Sequence, residues 1–234
     1  MIRWCAHCQK YLGEKAPLDY YAITHSVCPD CAEKYLAEDG HVSPRLREIT
    51  DFYNDLLDVG RRGNPVSVAV VINKASDLGI RPHDLLVGVL QPALYAIGKA
   101  WECGEIMAET EHRFTAIVQS IIEHLDLSPD GSERLRNSNS PDVLVVAAEG
   151  NQHFLGIIML EAFLQMHGVR SRIVFPGIPV QETLLLASRL RPRVLGISLA
   201  LPEQESTLAS VNAWLESGPE FRPACIAGGY WARQ

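Results

Sequence analysis

The sequence predicts a multidomain chain of α and α/β parts: a small metal-bound module, a four-helix bundle and a parallel α/β domain. Three observations predict it. Four of the six cysteines fall in two Cys-x-x-Cys pairs near the amino terminus. From Pro44 to Leu125 apolar residues recur at helical spacing between short turns. From Asp142 onward short apolar runs alternate with helical patterns, as parallel strands with crossover helices require. The expected boundaries are 1–40 for the module, 44–127 for the bundle, 128–141 for a linker and 142–234 for the α/β domain.

The 234 residues suffice for two or three small domains, and 47% hydrophobic with 21% charged residues is a normal globular balance. No run of about 18 apolar residues or secretory leader stands out, so a cytoplasmic protein without membrane contact is expected. A net charge of −7 without a basic block argues against direct nucleic-acid binding.

Cys5-Ala6-His7-Cys8 and Cys28-Pro29-Asp30-Cys31 are separated by nineteen residues. Each pair presents two thiolates from a short knuckle, and two knuckles complete the tetrahedral set that zinc prefers. The segment between them is too short for a core of its own, so metal would supply most of its folding energy. The expected site is Zn2+ on Cys5, Cys8, Cys28 and Cys31. Four protein ligands leave no open position, which points to structure or partner adhesion, not catalysis.

The bundle helices follow in order. Ser43-Pro44 opens the first, with Leu46, Ile49, Phe52, Leu56 and Leu57 at helical spacing. The second is expected over Pro65–Leu78, ended by Gly79. The third runs from Pro82 to about Cys103, bent at Pro92. The fourth runs from about Ile106 to Leu125, with Phe114, Ile117, Val118 and Ile121 on one face. Four such helices joined by short turns make a bundle.

Residues 128–141 are rich in Pro, Asp, Gly, Ser and Asn and read as a linker. Strands are then expected near Val143–Ala148, Arg170–Phe175, Val194–Leu199 and Ala224–Ala227. Helices are expected near Phe154–His167, Val180–Arg189 and Glu203–Ser217. A flavodoxin-like strand order would put the loop Asn151-Gln152-His153 at the switch point of the sheet, beside Ser198. An α/β sheet binds ligands at its strand ends there, so His153 is the candidate ligand-reaching side chain. Only six residues follow Gly228, so the sheet is expected to stop after its fourth strand.

Several of these positions share a spacing. Forty-one residues separate Gly156 from Ser198, and twenty-seven separate Ala200 from Gly228-Gly229. This resembles the cobalamin-binding signature Asp-x-His-x-x-Gly, Ser-x-Leu, Gly-Gly, with Asn151 in place of the acid and Ala200 in place of Leu. In the bundle, nine residues separate Trp101 from Glu111-His112. That resembles the Trp-x9-Glu-His motif of CarH-type cobalamin photoreceptors, a match running from about Asn64 to Leu125. The amino-terminal stretch resembles zinc-ribbon modules of bacterial signalling proteins.

The resemblance implies that His153 is the lower axial cobalt ligand, with Asn151, Gln152 and Gly156 beside it. It implies that Ser198, Gly228 and Gly229 admit the displaced nucleotide tail. It also implies that Trp101, Glu111 and His112 contact an upper adenosyl group. Glu102 stands where some photoreceptors carry a histidine that takes the upper cobalt position after photolysis. Asn151 is neutral, so it should orient His153 while leaving a weaker lower bond than an acid would. The resulting expectation is a non-enzymatic light sensor holding adenosylcobalamin, signalling through bundle movement to a homo-oligomer or a protein partner. Two readings stay open beside it: a corrinoid methyl-carrier of a methyltransferase system, and a binding module for another tetrapyrrole.

Overall fold

The computed structural model describes residues 1–35, 44–128, 140–218, 220–229 and 231–233. The chain divides into two compact units, Met1–Asp126 and Leu127–Gln234. Most of the expected linker, and Ser43 before the first bundle helix, lie outside the described residues. Among those residues no helix is long and apolar enough to cross a membrane.

The first unit opens with three short strands, β1 (Ile2–Cys5), β2 (Tyr11–Glu14) and β3 (Ile23–Ser26), followed by α1 (Pro29–Tyr35). β1 is central, antiparallel to β2 and parallel to β3. The helices follow as α2 (Pro44–Arg62), α3 (Val68–Asp77), α4 (Pro82–Leu85), α5 (Gln91–Glu102) and α6 (Ala108–His124). Ile49, Phe52, Tyr53 and Leu56 of α2 are buried, as are Ala93, Ile97 and Ala100 of α5 and Phe114, Val118 and Ile121 of α6. These stripes pack α2 on α5 and α6, with α3 against α6.

Two helices start later than their sequence pattern suggests. The second begins at Val68 and not Pro65, after an extended Ser67 (ψ 127°). The fourth begins at Ala108, after an extended Met107 (ψ 155°). Proline 92 leaves a trace as well. Leu86–Leu90, immediately before it, form a π-helical turn linking α4 to α5. Pro92 has no N–H to give Gly88, and a wider turn accommodates that break in the ladder.

The second unit alternates strand and helix: β4 (Val143–Ala147), α7 (Leu155–Met166), β5 (Ser171–Val174), α8 (Val180–Leu190), β6 (Val194–Ser198), α9 (Glu205–Glu216) and β7 (Ala224–Gly228). All four strands are parallel, in the order β5-β4-β6-β7. Leu144, Val146, Leu195 and Ile197 pack on one face with Val180, Ala187 and Val211. Val145 and Ala147 pack on the other with Ile157 of α7. At the amino-terminal edge Asp142 accepts two hydrogen bonds from the Arg170 guanidinium, both 2.9 Å. That guanidinium holds the Asp142 carboxyl below the usual carboxylate range.

Candidate functional site

The chain leaves β4 to one side and returns through β6 to the other, so the loops after these two strands diverge at the carboxyl edge. That divergence is the position where open α/β sheets bind ligands. His153 lies in the loop after β4, and Ser198 ends β6.

Asn151 builds this loop. It is only 1% exposed. Its Nδ2 donates to the Ser198 carbonyl at 3.0 Å, and its Oδ1 accepts the His153 backbone N–H at 2.8 Å. The side chain therefore orients residue 153 through the main chain. Asn151 is expected from sequence to orient His153, and here its carboxamide contacts the residue through the backbone amide. The His153 side chain is exposed, as is that of Gln152.

Further ties reach the loop after β5. Gly177 donates its N–H to the Asn151 carbonyl at 3.0 Å. A Cβ at Gly177 would fall 1.8 Å from the Ala148 carbonyl oxygen, so only glycine permits this approach. The Phe154 and Phe175 rings stack at 5.2 Å, and Glu149 accepts the Val180 N–H at 3.1 Å. Sequence reading missed Glu149, Gly177 and Phe175. Only the turn-forming Pro176-Gly177 hinted at the last two.

Beside α7 the sheet carries a row of small residues. Ala147 is registered with Ser198, and Ser198 with Gly228. Register partners share a face, and Ala147 faces α7, so all three do. A Cβ added at Gly228 or Gly156 would meet nothing within 4 Å. The sheet face beside α7 is therefore open here, with Leu160 and Ile226 exposed. Gly229 has a different role. Its φ is +106°, and a Cβ there would strike the Leu199 carbonyl oxygen at 2.2 Å.

In the bundle, Trp101 lies in the last turn of α5. Gly104 (φ +74°) ends that helix: its N–H reaches the Trp101 carbonyl at 2.9 Å, and Glu105 N–H reaches Ala100 at 2.8 Å. Trp101 is 49% exposed and Met107 73%, an apolar surface at one end of the bundle. Glu111 lies in the first turn of α6, accepts the Thr115 hydroxyl at 2.8 Å, and stands 3.6 Å from His112 Nε2. His112 is largely exposed. The two residue sets, Trp101/Glu111/His112 and Asn151/His153/Ser198, belong to different units.

The four amino-terminal cysteines converge. Their sulfur atoms all lie within 4.8 Å of one another, with Cys8 and Cys28 sulfurs 3.7 Å apart. Four thiolates about 2.3 Å from a tetrahedral zinc would stand about 3.8 Å from each other, so the set fits that ion. Burial raises the Cys5 thiol, but backbone hydrogen bonds from Cys8, Cys28 and His7 outweigh it and bring it to about 6. Burial and the neighbouring thiols push Cys31 up to about 12. Without a cation, then, the Cys5 thiolate forms readily, while Cys8 and Cys31 are held toward the thiol.

Residues 53–126 match the family model described as the B12 binding domain. No curated protein matches the chain. Among solved structures, the monomethylamine corrinoid protein of Methanosarcina barkeri shares the fold at TM-score 0.59 and 15% identity, over 76% of this chain and 84% of that one. A cobalamin-binding protein from Desulfitobacterium hafniense DCB-2 is similar at TM-score 0.40 and 16% identity, over 76% and 84%. A chain of the methanol:cobalamin methyltransferase complex of Methanosarcina barkeri is similar at 0.39 and 16%, over 89% and 90%. These last two superpose too loosely to bear on the fold.

Two outcomes follow from this geometry. Asn151→Asp sets a carboxylate against the Ser198 carbonyl and should destabilise the second unit by about 1–3 kcal/mol. Denaturant unfolding measures it, and an unchanged midpoint would contradict the clamp. The cysteine cluster should take one zinc per chain. Its affinity should fall as pH is lowered, because protons compete for Cys8 and Cys31; competition with a coloured chelator across pH 6–8 reads this, roughly, as a steady weakening toward acid.

Proposed function

We propose that the protein is a corrinoid carrier: it holds cobalamin with the His153 imidazole as lower axial ligand and presents the upper cobalt ligand to a partner methyltransferase. One observation carries this reading. An exposed imidazole stands at the switch point on a loop fixed by its backbone, beside an open sheet face of small residues. Imidazole is a good ligand for cobalt. The loop needs no rearrangement to offer it, since Asn151 and Gly177 already hold its course. The open face beside α7 accepts a flat, partly apolar appendage, and Ser198 offers the one polar side chain in that row. Bound corrinoid would supply an exchangeable cobalt–carbon bond. Trp101 and Met107 would form apolar contacts with the upper ligand, and Glu111 would accept hydrogen bonds there.

Support for the carrier comes from the B12 binding domain match and from the shared fold with the monomethylamine corrinoid protein. A second reading, an adenosylcobalamin light sensor, is favoured by the spacing of Trp101 with Glu111 and His112, which suits a bulky nucleoside. The two readings share the lower ligand and differ in the upper one. A homo-oligomer, a protein partner and a cytoplasmic setting belong to both.

The protein should take up cobalamin, and His153→Ala should weaken uptake at least about tenfold, about 1.4 kcal/mol. Labelling histidine with 15N should alter the nitrogen hyperfine splitting of the cob(II)alamin form; an unaltered spectrum means the cofactor keeps its own base. Preference for methylcobalamin without a light-dependent change in mass supports the carrier. Preference for adenosylcobalamin with such a change supports the sensor, and no uptake sinks both.

Gly228→Val gives an independent check on the open face. The position has room and an ordinary φ, so thermal stability should move by no more than about 0.5 kcal/mol. Cobalamin binding should nevertheless drop, because the side chain fills the open face. Equal binding by wild type and variant would place the tail elsewhere.

A further inference from the structure

The cysteine module and the bundle lie in one compact unit, and their junction is tighter than a simple appendage needs. Trp4 directly precedes Cys5 and is fully buried. Its indole rests on Gly88 in the π-helical turn. A Cβ at Gly88 would come 2.6 Å from Trp4 Cζ2 and 3.0 Å from the Tyr11 ring, so any side chain there displaces the indole. Tyr11 N–H donates to buried Asp84 at 3.3 Å, and Arg81 Nε donates to the same carboxylate at 2.6 Å. Tyr21 stacks on Tyr95 of α5, ring centroids 6.0 Å apart and 14° from parallel. The module thus grips one helical path from Asp84 to Tyr95. Trp101 lies six residues further along that path, about 9 Å at helical rise.

The grip is not over-determined. Trp4 Nε1 and Tyr53 Oη are buried without a hydrogen-bond partner among the described residues, and each would regain one from water on release. Burial, then the neighbouring Tyr21, pushes the Tyr53 phenol above its ordinary range. On the side away from the helices the module's buried cluster is Cys5, Cys28 and Cys31 with Leu12 against them, so metal on those cysteines would tie the end of β1 to the start of α1.

We propose that metal at Cys5, Cys8, Cys28 and Cys31 controls the shape of α5, and through it the placement of Trp101. With metal bound, Trp4 and Tyr21 lock the π-helical turn and the helix beyond it. With metal removed, both let go and the helix loosens. On the function proposed above, metal occupancy then sets cobalamin affinity.

Hydrogen–deuterium exchange of the full chain, zinc-loaded and chelator-stripped, tests this without cobalamin. Protection over 82–102 should fall at least tenfold on stripping and return with zinc, while the strands of the second unit stay unchanged. Gly88→Ala should keep its zinc yet lose this dependence; Tyr95→Ala, which removes the stacking without touching the turn, serves if that variant fails to fold. Cobalamin affinity of the two metal states should differ in the same direction, about tenfold. Exchange over 82–102 indifferent to zinc overturns the proposal, and so does equal cobalamin affinity in both states. Failure of the zinc-loaded protein to take up cobalamin would instead overturn the carrier and sensor readings, with the exchange result standing by itself.

Discussion

The carboxamide of Asn151 bridges two strand ends. One atom holds the carbonyl of Ser198 and the other holds the amide of His153. Asn151 itself is buried and both bonds are partly so, which limits their competition with water. Without this bridge the loop after β4 would keep its ties to Gly177, Val180 and Phe175, but nothing among them holds the His153 amide. The exposed imidazole, the open face beside α7 and the close approach of the β5 loop all inherit their placement from it. A carboxylate in the same place could not donate to Ser198. The neutral residue thus suits this backbone arrangement, whatever it does for the imidazole's donor strength.

Much of the fold could be read from the chain. Apolar runs gave the strands to within two residues; β4, buried on both faces, shows its composition most plainly, and β7 was legible although it is exposed. The paired cysteines were legible for a different reason: few other arrangements use two close thiols twice. The switch point followed once the order of strands was assumed. Side-chain aim was not legible. Nothing in Asn151-Gln152-His153 says that the first residue turns back onto the backbone instead of the ring. Contacts far apart in sequence were equally hidden. Gly88 reads as an ordinary helical residue, and only the folded chain shows that Trp4, eighty-four positions earlier, fills the space its missing side chain leaves. The π-helical turn was hidden as well, although Pro92 marked its neighbourhood.

The functional readings rest on two separate surfaces. The second unit supplies an imidazole and an open sheet face, both general to corrinoid binding. The first supplies an exposed indole, a methionine and a carboxylate, which on either proposed reading would decide what kind of upper ligand is welcome. The two proposed readings share the second surface and differ in what the first would receive, a bulky nucleoside or a smaller group. The common ground is a cobalt ligated from residue 153, and the disagreement is confined to the turn between α5 and α6.

Glu149 has a wider consequence. Its carboxylate accepts the Val180 amide and so sits on the positive end of α8, where Glu182 adds a second acid in the first turn. Helix starts at this edge of a sheet are the usual seats for flavin and dinucleotide phosphates. Here an internal anion has taken that seat. A phosphate arriving at the start of α8 would meet two carboxylates and a Val180 amide already engaged, so that helix end holds its own anion in place of an outside one.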